Sequence, residues 1–171
     1  MSTCVIAATK YRWYEDPMAQ STILQELNGV LRRALDTLQA ILPYDLAAVL
    51  DLHANEELRV RTAVGPLAND AVRRHRISLA RFPTIRRAME TRRPVALLEH
   101  HHASEEGDPY DSVLALADGH SCMVVPLFAD DRSLGVLTLD RAVCEPYSDE
   151  MVDLAGIYGQ LLARGDRKSV V

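Results

Sequence analysis

The stretch HSCMVVPLFADDRSLGVLTLD (residues 120–140) reads as two apolar strands around a polar turn, and it sets the frame of the fold. A turn centred on Asp131 fixes the register of this hairpin, because facing residues lie equally far from the turn. The facing pairs are then Cys122 with Asp140, Val124 with Thr138, and Pro126 with Val136.

The two faces of this hairpin differ in chemistry, since side chains alternate across a strand. One face carries only core residues, namely Met123, Val125, Leu127, Leu137 and Leu139. The other face gathers His120, Cys122, Thr138 and Asp140 at one end, where directly opposed Cβ atoms lie about 4.5–5.5 Å apart. An imidazole, a thiol and a carboxyl on one side are donors that iron or zinc uses.

The same residues also have a purely structural explanation. A cysteine in a strand is often a small buried apolar residue, and Asp140 can simply end its strand. Spacing alone leaves the metal site and the structural explanation both open.

The segment DPYD (residues 108–111) offers two more carboxylates, Asp108 and Asp111, which point the same way if residues 109–117 form a helical turn. Asp108 before a proline is also an ordinary helix cap. The run His100 to His102 cannot all face one way in a strand, so we expect a solvated loop there.

Outward from the hairpin, hydrophobic periodicity predicts helices and strands in a mixed order. The predicted elements are a helix from Ser21 to Leu42, strands at 46–52 and 58–64, helices near 69–76 and 82–91, a strand at 94–100, the hairpin, and a last helix capped by Ser148. This order predicts an α+β domain with a central antiparallel sheet. We expect the first and last helices on one face, and residues 66–118 as a roof over a ligand pocket on the other.

Composition restricts the class of protein. The 171 residues, 48% hydrophobic with a net charge of −5, suit one globular domain rather than a nucleic-acid coat. The sequence contains no apolar run of about 20 residues and no signal-peptide layout, so we expect a cytoplasmic protein without a membrane partner. It also lacks the glycine-rich phosphate loops and the GxSxG elbow, so nothing demands an enzyme.

Eight arginines lie between positions 73 and 93, and the two acids are Glu90 within this stretch and Asp70 just before it. No helix-turn-helix or finger signature accompanies them, so we expect no direct nucleic-acid binding from this chain. A solvated helix face, or a surface that meets a partner domain, is the preferred interpretation.

Three segments together resemble a GAF domain: FPTIRRAMETRRPV, then VVPLFADDRSLGVLTLD, then YSDEMVDLAGIYGQLLA. The resemblance covers residues 20–165 and leaves 1–19 as a lead-in and 166–171 as a tail. It implies a sensor of small molecules that forms a homodimer through its terminal helices, which carry strong apolar stripes.

Within that family the chain resembles the N-terminal sensory domains of anaerobic nitric oxide reductase transcription regulators, which are AAA+ activators. The likeness lies in DPYD, in His-x-Cys before the apolar strand, and in PLFA leading to LTLD. It implies a non-haem Fe(II) that binds nitric oxide, and an output domain or partner regulator of the AAA+ class. The implied metal ligands are Asp108, Asp111, His120, Cys122 and Asp140, beside a ligand pocket lined by Tyr110, Val124, Pro126 and Thr138.

Two other functions stay open. A GAF domain can bind a different small molecule or serve only dimerisation. GAF-like folds also include free methionine sulfoxide reductases, which work through cysteine thiols. Here Cys4 lies in the predicted lead-in and Cys144 after the last strand, so we do not expect a thiol enzyme.

Overall fold

A computed structural model describes residues 17–98, 108–114 and 120–167 of the chain. Within these residues the chain forms four α-helices, a short 3-10 helix at Ala54–Glu56, and six strands. The helices are α1 (Pro17–Leu38), α2 (Asp70–Arg73), α3 (Pro83–Thr91) and α4 (Asp149–Arg167), and the strands are β1 (Leu46–His53), β2 (Glu57–Val64), β3 (Arg76–Ser78), β4 (Val95–Leu98), β5 (Ser121–Ala129) and β6 (Arg132–Arg141).

The six strands form one antiparallel sheet in the order β3-β2-β1-β6-β5-β4. One face packs against α1 and α4 in a core that includes Leu35, Met123 and Leu139. The other face packs against the segment from α2 to α3 and the turn at residues 108–114, with Tyr110 and Val124 in its core. The predicted α+β fold is confirmed, with both faces of the sheet covered.

The hairpin has the predicted register at its inner end: Cys122 faces Asp140, Val124 faces Thr138, and Pro126 faces Val136. The predicted turn centre is wrong, because Ala129 pairs with Arg132 and the turn residues are Asp130 and Asp131. A β-bulge between Leu127 and Phe128 makes up the difference, since Leu127 faces Gly135 whereas Phe128 faces Ser133. The extra residue on β6 shifts the register by one and restores the predicted pairing beyond it.

Helix α1 differs from the prediction at both ends. It begins at Pro17, inside the predicted lead-in, rather than at Ser21, and it ends at Leu38 rather than at Leu42. Proline is well suited to a first helical turn, because backbone N–H groups there have no partner within the helix and proline has no such N–H to satisfy.

The apolar stripes of α1 and α4 are only half buried against the sheet. On α1 the residues Leu31, Leu35 and Leu38 are buried, but the exposed apolar residues on the two helices include Ile23, Leu24, Val30, Ile157 and Leu161. A stripe wider than the contact with the sheet leaves apolar side chains in solvent.

The segment after β2 departs from the predicted helix at 69–76. Helix α2 covers only Asp70–Arg73, capped by the Asn69 side chain, which accepts from the Val72 N–H at 2.9 Å. Arg76 already belongs to β3, which pairs with β2. A three-residue strand is too short to show a period in the sequence, which explains the error.

The other predicted helix of this segment is confirmed as α3, with Pro83 at its first position. It ends at Thr91, and the next residue, Arg92, has a left-handed φ of 57°. The last predicted helix is confirmed as α4, since Ser148 Oγ accepts from the Met151 N–H at 3.3 Å.

Part of the arginine-rich segment is neutralised by acidic residues outside it. Arg86 forms two hydrogen bonds with Glu56, at 2.8 and 2.7 Å, while Arg76 pairs with Glu57 and Arg92 with Asp131. These exposed pairs favour the interpretation of a solvated face over that of a phosphate-binding surface.

Several predictions fall outside the described residues: the loop at His100 to His102, the last two residues of the strand at 94–100, the helical end of residues 109–117, Cys4, and the tail from residue 168. Among the described residues, no helix combines the length and hydropathy needed to cross a bilayer.

Gly135, beside the bulge, is the position where the sheet tolerates a side chain least. Its φ is +150°, and an added Cβ would lie 1.9 Å from the Leu50 carbonyl oxygen of β1. We predict that Gly135→Ala lowers the free energy of unfolding by more than about 2 kcal/mol, since backbone strain alone costs about 1–3 kcal/mol. Urea unfolding followed by circular dichroism measures this.

The matched control is Gly165→Ala on α4, where an added Cβ meets nothing within 4 Å. We expect the control to stay within about 1 kcal/mol of the wild type. Equal stabilities for the two variants would contradict the close approach of β1 and β6.

Candidate metal centre

The candidate centre lies at the inner end of the β5–β6 hairpin, under the turn at residues 108–114. β5 supplies Cys122, the residue before β5 is His120, and β6 supplies Asp140 near its end. The turn supplies Asp108 from above. All four side chains are buried, although two of them are carboxyls and one is an imidazole.

Three of these residues converge closely. One ligand atom each from Asp108, Cys122 and Asp140 lies within 4.8 Å of the other two. Cys122 and Asp140 meet because they face each other directly across β5 and β6. Two carboxylate oxygens and one sulfur at this spacing can surround a single cation.

Asp108 is held by neighbours on both carboxylate oxygens. Its Oδ1 accepts the Tyr110 N–H at 2.6 Å, and its Oδ2 lies 2.7 Å from His120 Nε2. His120 therefore contacts the predicted ligand Asp108 directly. With Asp108 ionised, the imidazole donates this bond and fixes the orientation of the carboxylate.

Asp111 lies apart from the three converging residues. It is exposed, and its Oδ2 accepts the Asp108 N–H at 3.0 Å. In the described structure Asp111 thus caps the turn that carries Asp108.

The surroundings of the Asp140 carboxyl disfavour its charged form. Its Oδ2 is buried and has no hydrogen-bond partner among the described residues. Burial, together with the nearby charge of Asp108, raises the pKa of Asp140 well above its ordinary value. A buried acceptor without a partner is costly, and a cation bound there would remove the cost.

The predicted pocket residues divide into two places. Tyr110 and Thr138 bond to each other through their hydroxyls at 2.8 Å, with Val124 in the same core cluster. Burial is the main cause that raises the pKa of Tyr110. Pro126 lies farther along β5 and lines a separate cavity of about 320 Å³ at the edge of the sheet, with Pro94 and Phe128.

His75 belongs to the surroundings of the centre but was not predicted. Its Nε2 lies 2.7 Å from the Pro109 carbonyl oxygen, and its ring packs at 5.6 Å from that of Tyr110. His75 and Pro109 are 34 positions apart, and His75 lies inside the segment 69–76 that was predicted as helical. No sequence pattern pointed to the contact.

The donor set fits a transition metal better than Ca²⁺ or Mg²⁺. Those hard cations take oxygen ligands, whereas this group includes a sulfur with an imidazole beside it. The Asp140 oxygen, which finds no partner within residues 17–98, 108–114 and 120–167, supports the fit, because a core without a ligand normally satisfies or excludes such an atom.

The pH dependence of stability tests the state of Asp140. In the unfolded chain Asp140 ionises near its ordinary pKa of 3.8, whereas the folded protein retains the proton to higher pH. Between these two pKa values the folded state binds the extra proton, so its stability falls as the pH rises. We predict that metal-free Asp140→Asn gains stability relative to the wild type from about pH 4 upward, by up to about 1.4 kcal/mol per pH unit.

Thermal unfolding in chelator at pH 4, 5, 6, 7 and 8 measures this difference. Asp45→Asn is the comparison, since the Asp45 side chain accepts the Ala142 N–H on the surface at 2.7 Å. Parallel curves for the wild type and Asp140→Asn would contradict a raised pKa.

Comparison with known proteins identifies the kind of domain. The model of the GAF domain matches residues 26–165, which is most of the chain. A search of the curated proteins finds no match.

Three solved structures have the same fold. The GAF domain/HD domain protein from Geobacter sulfurreducens has a TM-score of 0.72 at 14% identity, covering 85% of this chain and 95% of that one. The GAF domain of a two-component sensor histidine kinase from Bacillus halodurans has 0.66 at 18%, covering 83% and 94%. Type II free methionine-R-sulfoxide reductase from Thermoplasma acidophilum has 0.63 at 18%, covering 83% and 93%. Identities this low show that the fold is shared, and they say nothing about which ligand this chain binds.

Proposed function

Because the chain belongs to the GAF domain family, we propose that it is a regulatory sensor domain whose signal is read at a metal held by Asp108, Cys122 and Asp140. The observation that carries the proposal is the buried Asp140 oxygen, which has no partner in the part of the chain that the structure describes and lies beside a thiol and a second carboxylate. His120 contributes by its bond to Asp108.

The metal that we propose is non-haem Fe(II), and the signal is nitric oxide. Hard carboxylates with one thiolate and a neighbouring imidazole suit Fe(II) with a position left for a diatomic gas. When bound, such an ion supplies the gas-binding position. Asp108, Cys122 and Asp140 would hold the ion, their burial would exclude water, and the two carboxylates would balance its charge.

Asp111 has a different role in this proposal from the one that the family resemblance implied. Its carboxylate accepts the Asp108 N–H and lies outside the converging group. We therefore assign to it the shaping of the turn rather than a bond to the metal.

A change at the centre has a short route to the terminal helices. On β5 and β6 the next residues along, Met123 and Leu139, face the opposite way and pack in the core with α1 and α4. The Asp140 carbonyl also accepts the N–H of Asp45, which precedes β1, at 2.7 Å. A ligand that favours one arrangement of these strands would shift the helices, and through them an output domain or AAA+ partner.

The metal is tested by titrating the protein anaerobically with Co(II), whose absorption reports a bound thiolate. We predict that the wild type binds one equivalent, and that Cys122→Ala and Asp140→Ala each bind more than about 100-fold more weakly, since even changes outside the ligand set cost about 10–100-fold. Asp111→Asn is expected to lose less Co(II) affinity than Cys122→Ala or Asp140→Ala.

Cys144→Ala is the matched control for the thiol, because Cys144 is exposed. It should bind Co(II) as the wild type does. Wild-type protein without stoichiometric Co(II) or Fe(II) would overturn the metal site. Fe(II) uptake with no paramagnetic resonance signal after nitric oxide is added would contradict nitric oxide as the signal but would leave the proposed metal site in place.

The exposed apolar residues of the terminal helices support a homodimer. Leu24 on α1 and Leu161 on α4 are both more than half exposed, at 56% and 58%. Exposed apolar patches of this kind commonly mark an interface. We predict that the double variant Leu24→Glu, Leu161→Glu is monomeric by light scattering at concentrations where the wild type is a dimer.

Val143→Glu is the control for this substitution, since Val143 is exposed but lies outside the helices. It should remain a dimer. A monomeric wild type would contradict the proposed homodimer.

A thiol reductase is the alternative function, favoured by the likeness to the methionine sulfoxide reductase. In the described residues, one cysteine of this chain is buried under the turn and another is exposed in the loop before α4. Incubation with free methionine sulfoxide and a thiol reductant distinguishes the two functions. We expect no turnover, whereas turnover that disappears in Cys122→Ser would favour the enzyme.

A further inference from the structure

His75 lies between α2 and β3, outside the proposed ligand set, and is half-buried against the turn that carries Asp108. Its Nε2 lies 2.7 Å from the Pro109 carbonyl oxygen. A carbonyl oxygen only accepts, so Nε2 carries the proton of this bond. The ring also packs against Tyr110, with centroids 5.6 Å apart.

The peptide group between Pro109 and Tyr110 is thereby held at both ends. Its carbonyl accepts from His75 at 2.7 Å, and its N–H donates to Asp108 Oδ1 at 2.6 Å. A peptide whose carbonyl accepts a hydrogen bond is polarised and donates more strongly through its N–H. His75 therefore acts on the Asp108 carboxylate through one peptide unit.

Rotation of this peptide would turn its N–H away from Asp108. The proline ring fixes φ at Pro109, so ψ is the torsion at that residue which turns the peptide. The bond from His75 restrains that torsion. Of the two bonds that orient the Asp108 carboxylate, this peptide supplies one and His120 supplies the other.

From this arrangement we propose that His75 is a positioning residue for the metal site: it fixes the Pro109–Tyr110 peptide, which in turn aims Asp108 at Cys122 and Asp140. The inference rests on the proposed metal site and adds to it a residue that no ligand pattern contains. Partners that orient a ligand from outside the coordination sphere typically change metal affinity by about 10–100-fold.

The test compares Co(II) affinity in two variants of His75. His75→Phe keeps an aromatic ring next to Tyr110 but removes the donor, and should bind Co(II) about 10–100-fold more weakly. His75→Gln retains an N–H donor at a similar reach, and should recover most of that loss. His53→Phe is the control, since His53 is exposed at the end of β1.

A second comparison separates positioning from general loss of structure. In an Asp108→Asn background, His75→Phe should weaken Co(II) binding by less than about twofold, because residues that act through one another are not additive. Circular dichroism checks that each variant is folded at the titration temperature.

The outcomes are distinct. Wild-type protein that binds no Co(II) overturns the proposed metal site and this inference with it. If the wild type binds but His75→Phe binds equally well, or if His75→Phe and His75→Gln lose affinity equally, His75 does not position Asp108 and the metal site stands. The same loss with and without Asp108 also overturns the inference.

Discussion

The register between β5 and β6 is the constraint on which the rest of this structure depends. Pairing Cys122 with Asp140 places a thiol and a carboxyl side by side on the face under the turn. The same pairing sends Met123 and Leu139 into the core with the terminal helices. A slip of one residue would exchange the two faces and bury a carboxyl against α1 and α4, so the apolar face holds the register against slippage.

The candidate centre reduces the stability of the fold that contains it. Two buried carboxyls lie close together, and one oxygen of Asp140 lacks a partner among the described residues. Packing elsewhere offsets this cost: both faces of the sheet carry continuous apolar cores. Local conflict with an otherwise consistent fold is typical of a functional site, where selection acts on the ligand rather than on stability.

The sequence predicted those parts of the structure that depend on short-range geometry. Alternation along one hairpin was enough to place Cys122 and Asp140 on one face, whereas their direct pairing also depends on the bulge, which was not predicted. A capping serine was enough to start α4 at Asp149. The extent of α1 was not predictable, because the width of its contact with the sheet depends on tertiary packing. The contact from His75 to Pro109 could not be predicted either, since it joins two irregular segments that the whole fold brings together.

The bulge at Leu127 and Phe128 divides the hairpin into an outer and an inner part. Beyond it, Arg92 links the end of α3 to Asp131 at the tip. A residue added or removed at the tip changes pairing in the outer part, while the bulge and the tightly approached Gly135 fix where the inner ladder begins. We therefore expect the tip to accept an inserted reporter peptide without a change in the spacing of Cys122 and Asp140.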